Sequence, residues 1–169
     1  MRYATIAIAT AIVSTIAASS AIANSAEKDQ PSNAQLLTPT QVNTLYSGKT
    51  WFWKSGAGYL DPTGRFEAWA NDDAGPSYGV GTWTIDARGV MCFKAKWTSV
   101  ASSADATRCF GHSRVSNALY QRDESVGRWY LFKHDVAHKD DGFSKIVAGN
   151  LIKSQLKAAK ARTAAKSAN

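Results

Sequence analysis

Val90-Met91-Cys92-Phe93-Lys94-Ala95-Lys96-Trp97 is the stretch whose reading decides the fold. Its alternation is that of a strand: Met91, Phe93, Ala95 and Trp97 fall on one face, Cys92, Lys94 and Lys96 on the other. Downstream, Thr107-Arg108-Cys109-Phe110-Gly111 sets Phe110 opposite Cys109. If the two stretches pair as a hairpin across Thr98 to Ala104, both sulfurs share the polar face and both phenylalanines the apolar one. Cys92 and Cys109 are the only cysteines, so this register predicts one disulfide stapling the hairpin, as suits an exported chain.

Outward from that hairpin the same grammar repeats. Aromatic and β-branched runs alternate with Gly, Asp, Pro and Ser punctuation and predict strands near residues 50–53, 58–60, 65–70, 78–85, 90–97, 106–112, 118–122, 128–133 and 142–147. Asp61-Pro62-Thr63-Gly64 and Asp86-Ala87-Arg88-Gly89 are turn sequences, and Ser125-Val126-Gly127 closes a further hairpin. Turns this short give an antiparallel meander. About eight strands so connected curl into a small, closed or nearly closed barrel that hides its edges, with a two-sheet sandwich as the alternative. The expected class is mainly β, with a short helix before the barrel and a basic helical tail after it.

The short helix follows from local chemistry. Thr38 is an N-cap, Pro39 occupies the first helical position, Gly48 stops the helix, and Val42, Leu45 and Tyr46 give it one apolar face. Ahead of it, residues 24–37 read as a flexible polar segment, and residues 1–23 as a secretory signal peptide. Met1 and Arg2 form its basic start, Ile6 to Ala18 its apolar run, and Ala21-Ile22-Ala23 a site cut after Ala23. The barrel domain is expected over residues 38–150, a periplasmic or secreted location follows, and no later stretch is apolar for long enough to form a transmembrane helix.

Charge is distributed unevenly. The whole chain carries a formal +7, which at first suggests a polyanion partner. Residues 24–150, however, hold 14 Lys and Arg against 13 Asp and Glu, whereas residues 151–169 hold Lys153, Lys157, Lys160, Arg162 and Lys166 with no acid. A near-neutral domain is not the footprint of a nucleic-acid binder, and none is expected as a partner. For the tail, Lys153, Lys157, Lys160 and Arg162 are candidates for docking on an anionic envelope surface. The alternative is a solubilising, mobile terminus with a frayed helix.

Residues that could carry chemistry are few. Of the many aromatic side chains most are expected in the core, with Trp51, Trp53, Trp83, Trp97 and Trp129 as candidates to line a ligand cavity at the barrel mouth. His134, His138 and Asp140 stand in the densest cluster of metal-binding groups, Lys133 to Asp141, but outside a helix that spacing reads better as a solvated loop, and no metal or other cofactor is expected. His112 and Ser113 are adjacent on a strand and so point to opposite faces, which separates a base from a nucleophile. Glu67 and Asp86 lie on or beside strands without a spacing that pairs carboxylates.

Leu45-Tyr46-Ser47-Gly48-Lys49-Thr50-Trp51, Gly81-Thr82-Trp83, Cys92 with Trp97, and Cys109 together resemble a family of small exported proteobacterial proteins, domain of unknown function 995, over roughly Pro39 to Asn150. The resemblance implies a periplasmic, mostly β domain and brings no activity with it. Gly81-Thr82-Trp83 is also similar to the Gly-x-Trp of lipocalins, where it lies on the first strand; here Gly48 to Trp51 lies that early, with a spacing that differs by one residue. The functional expectation is an exported, non-enzymatic barrel module that binds a small apolar ligand or an envelope partner. The alternatives are a hydrolase of an envelope polymer and a purely structural envelope protein.

Overall fold

The computed structural model describes residues 30–166; the expected signal peptide and its cut after Ala23 lie outside them. Along the chain run β1 (Gln35–Leu36), α1 (Pro39–Tyr46), β2 (Lys49–Trp53), β3 (Gly56–Leu60), β4 (Arg65–Asp72), β5 (Gly75–Ile85), β6 (Met91–Ser99), β7 (Ser103–Val115), β8 (Ala118–Asp123) and β9 (Trp129–Lys133), then a 3-10 turn (Gly142–Lys145), β10 (Ile146–Ala148) and α2 (Lys153–Lys166). The strands form one antiparallel sheet in the order β10-β2-β3-β4-β5-β6-β7-β8-β9, with β1 added against β7. Apart from β1 and β10, spatial order is chain order, the meander that the short turns predict.

The decisive hairpin has the predicted register. Met91 faces Phe110, Cys92 faces Cys109 and Phe93 faces Arg108, and the two sulfurs form a disulfide with a Cα–Cα distance of 4.0 Å. Asp61 and Asp86 each open a turn by accepting backbone N–H groups on one carboxylate oxygen, Asp61 from Thr63 and Asp86 from Arg88 and Val90. Gly89 completes the second turn at φ +78°, and a Cβ there would meet the Leu37 carbonyl at 2.2 Å.

The curl is a half-barrel. β9 and β10 stand at opposite ends of the strand path, and the chain between them crosses the gap through the 3-10 turn. There Phe143 packs edge-on against Phe132, with ring centroids 6.1 Å apart, and Phe132 reaches Trp51 of β2 at 6.3 Å. Helix α1 covers one end of the curl. It carries the expected cap, Gln41 N donating to Thr38 Oγ1 at 3.3 Å and Thr38 N to Gln41 Oε1 at 2.9 Å, and it buries Val42 and Tyr46 in a core with Leu60, Phe66, Trp83 and Met91.

Three segments differ from the sequence expectation. Gln35 and Leu36, expected in a flexible segment, pair with Arg114 and Ser113, because the neighbouring Leu37 is buried and draws the backbone onto β7. The strand expected over residues 142–147 is a 3-10 turn followed by β10; the turn places the Phe143 ring in the seam. Helix α2 is seated on the outer face of the sheet. Ile152, Leu156, Ala159 and Thr163 recur at helical spacing and are buried, and Ile152 and Leu156 pack with Ala57, Phe52, Tyr59, Trp69 and Tyr78. No helix among the described residues is long and apolar enough to cross a membrane.

Candidate functional site

Opposite the α1 end, the concave face of the sheet opens into a cavity of about 510 Å³. Cross-strand register shows why it is not filled. One row of partners runs Trp51, Gly58, Ala68, Gly79, Trp97 across five strands. Successive residues on one face of a sheet line up across strands, so this row sets an indole at each side and three small residues between them. The next row toward the mouth, Trp53, Gly56, Ala70, Ser77, Ser99, repeats the pattern with smaller groups on the far side. The glycines are where the rings lie: a Cβ on Gly79 would come within 2.9 Å of the Trp97 indole, and one on Gly58 within 2.6 Å of the Phe66 ring.

Aromatic contacts complete the walls. Phe66 and Phe93 stack at 4.5 Å, and Trp51 meets Phe110 edge-on at 4.9 Å. At the rim stand Ser55, Asp72, Ser77, Arg108 and Asp123. Asp123 Oδ1 accepts from the backbone N and Oγ of Ser125 at 2.9 and 2.6 Å, and its Oδ2 accepts from Arg108 Nη1 at 3.1 Å, which also donates to Ser125 Oγ at 2.9 Å.

The structure brings together three of the five tryptophans proposed from sequence. Trp51, Trp53 and Trp97 line the cavity. Trp83 is at the α1 end, its Nε1 donating to the Asp61 carbonyl at 2.8 Å, and Trp129 is buried beneath Arg122, whose guanidinium carbon lies 5.0 Å from its ring. Arg108 escaped the sequence reading although the signal was present: alternation from Phe110 puts it on the apolar face, where a charge has no packing reason to be.

Between cavity and α1 lies a buried polar cluster. His112 Nε2 accepts from Tyr46 Oη at 2.7 Å, Gln121 Nε2 donates to Tyr46 Oη at 2.7 Å and lies 3.1 Å from His112 Nε2, and the Tyr130 hydroxyl donates to Gln121 Oε1. Burial pushes the His112 pKa down to about 4, against a smaller opposing pull from the Gly89 backbone, so the imidazole is neutral. Burial pushes the Tyr130 phenol up to about 12, helped by the Asp123 charge. Ser113 is buried too, with no hydrogen-bond partner on its hydroxyl among the described residues.

The remaining candidates do not line the cavity. In the loop from Lys133 to Asp141 the organising carboxylate is Asp141. It accepts from the backbone N of His138 at 2.9 Å and of His134 at 3.1 Å, and its Oδ1 lies 2.6 Å from His134 Nδ1. The His138 backbone bond, then the His134 contacts, hold its carboxyl down to about 2. The rings of His134 and His138 lie 4.7 Å apart, Asp140 is exposed, and no group of three or more potential metal ligands occurs among the described residues. Glu67 Oε1 lies 3.6 Å from both Arg65 and Lys160, and Lys160 also sits 5.6 Å over the Tyr78 ring. Lys160 is thereby drawn onto the sheet, while Lys153, Lys157 and Arg162 remain exposed.

Comparison with known proteins adds a family and no more. No curated protein and no solved structure matches the chain. A family model described as a protein of unknown function, DUF995, matches residues 12–152, a span that holds every cavity-lining residue and stops where α2 begins. On that match, the chain belongs to the DUF995 family.

Proposed function

We propose that this protein is an exported binding module of the cell envelope whose half-barrel holds a small apolar ligand. The observation that carries the reading is the open cavity of about 510 Å³ walled by Trp51, Trp53, Trp97, Phe66, Phe93 and Phe110. Ligand sites are typically apolar clefts of roughly 300–1,000 Å³ with a few polar groups at fixed positions. An aromatic surface left open to water has no folding advantage, because closing it would bury more apolar area. Small residues at Gly58, Ala70 and Ser77 line it between the tryptophans and leave it open. The Cys92–Cys109 bridge supports export, since such bridges persist in oxidising compartments.

Protein secreted to a bacterial periplasm, purified without detergent and extracted into organic solvent for mass spectrometry tests the reading. An apolar compound in near-equal molar amount is the expected result. Ala106→Trp, at an exposed lining position on β7, should fill the mouth, leave folding intact and empty the extract. Native protein that yields no compound and takes up no apolar fluorescent probe would defeat the proposal.

A further inference from the structure

The cavity rim carries a charge arrangement that selects among apolar ligands, and we infer that the ligand is an amphiphile with a carboxylate head, held by Arg108. This inference rests on the reading of the cavity as an apolar binding site. Arg108 is the only cation in the cavity lining among the described residues. Its position is built. Phe93 is its register partner, Phe110 lies two residues along the same face, and all three line the cavity, a setting in which an aliphatic stem can lie beside apolar walls while its charged head faces water.

Its hydrogen bonding is lopsided. Both bonds to Asp123 and Ser125 leave from Nη1, and Asp123 is itself fixed by two bonds from Ser125. One corner of the guanidinium is therefore pinned, and among the described residues the side formed by Nε and Nη2 has no partner and presents two parallel N–H donors. That fork matches a carboxylate in bidentate fashion. The side chain keeps 54% of its exposure, so a head group can reach it from the mouth while its tail enters between the indoles.

The rim acids do not make the opposite case. Asp123 has both oxygens engaged by Ser125 and Arg108. Asp72 is exposed and has one oxygen on the backbone N of Ala74 at 3.0 Å. Neither offers a buried, unengaged anion to a cationic head.

Three ligands with one tail and different heads test the inference: decanoate, 1-decanol and decyltrimethylammonium, titrated at pH 8 against tryptophan fluorescence of the full chain. Decanoate should bind about tenfold more tightly than the alcohol, the scale of a charge-assisted hydrogen-bonded pair, and the ammonium should bind most weakly. Arg108→Gln should bring decanoate to the level of the alcohol and leave the alcohol unchanged. Should that variant fail to fold, the native chain still decides, because added salt must weaken decanoate and not decanol. Decanoate no tighter than decanol, or a preference for the ammonium, overturns the carboxylate and leaves the apolar site standing. Binding of none of the three defeats both.

Discussion

At the scale of single residues, the most consequential side chain outside the cavity is His112. It is neutral and buried, with a pKa near 4 in the folded chain against about 6.5 when unfolded. Below the unfolded value the unfolded chain takes up a proton that the folded chain refuses. The stability tied to neutral His112 is therefore complete above that value and is lost as pH falls toward 4. Urea midpoints should show roughly 2 kcal/mol lost between pH 7 and pH 5 from this group. His112→Gln should flatten that part of the profile, whatever it does to absolute stability. A variant with the native slope would mean that His112 is not the group responsible. The burial of this histidine could not be read from Gly111-His112-Ser113. Its hydrogen-bond partners, Tyr46 and Gln121, lie 66 and 9 residues away: β7–β8 pairing sets Gln121 directly across from it, but only the docking of α1 on the sheet brings Tyr46 to it.

At the scale of elements, α2 shows what composition conceals. Residues 152–165 are rich in Ala and Lys, and a solvated terminus was a reasonable expectation from so few apolar groups. Those few lie on one face, however, and the matching surface was also in the sequence. Phe52, Tyr59, Trp69 and Tyr78 are large residues on the face of their strands opposite Trp51, Leu60, Phe66 and Ala68, and strands with bulk on both faces require a cover on both. Leu156→Ala should cost about 2 kcal/mol, the low end for a buried leucine, and should speed tryptic cleavage at Lys157. Unchanged stability would show that the helix rests on the sheet without contributing to it. The β6–β7 hairpin was legible for the opposite reason. Its pairing is local, its period is exact in both strands, and two cysteines fix the register.

At the scale of the whole molecule, the Cys92–Cys109 bridge joins β6 to β7 from the outer face, tying the β2–β5 half of the strand path to the β8–β9 half. The residues it links are 17 apart in sequence, and cutting a loop of that length loosens the unfolded chain by an amount worth about 3 kcal/mol. Reduction with dithiothreitol should lower the unfolding free energy by that amount in calorimetry or urea titration. A reduced chain of equal stability would mean that strand pairing alone sets the hairpin. The meander and the covering helix were readable from turns and caps. The open cavity was not, because whether an indole fills a barrel or lines it depends on what stands across from it two or three strands away. The glycines and alanines of β3 to β5 are ordinary strand residues until the register puts them in one row.

That row has a consequence for how the two sides of the sheet relate. Gly58 floors the cavity, and its chain neighbours Ala57 and Tyr59 are the residues on which α2 rests. The partition between the open cavity and an external helix is thus a single polypeptide thick over β3 to β5, and at Gly58 and Gly79 the rings of Phe66 and Trp97 lie directly on its backbone. In mechanical terms it is a diaphragm with a brace on its back: the helix that backs the cavity floor packs on its outer side and contributes no residue to the cavity lining.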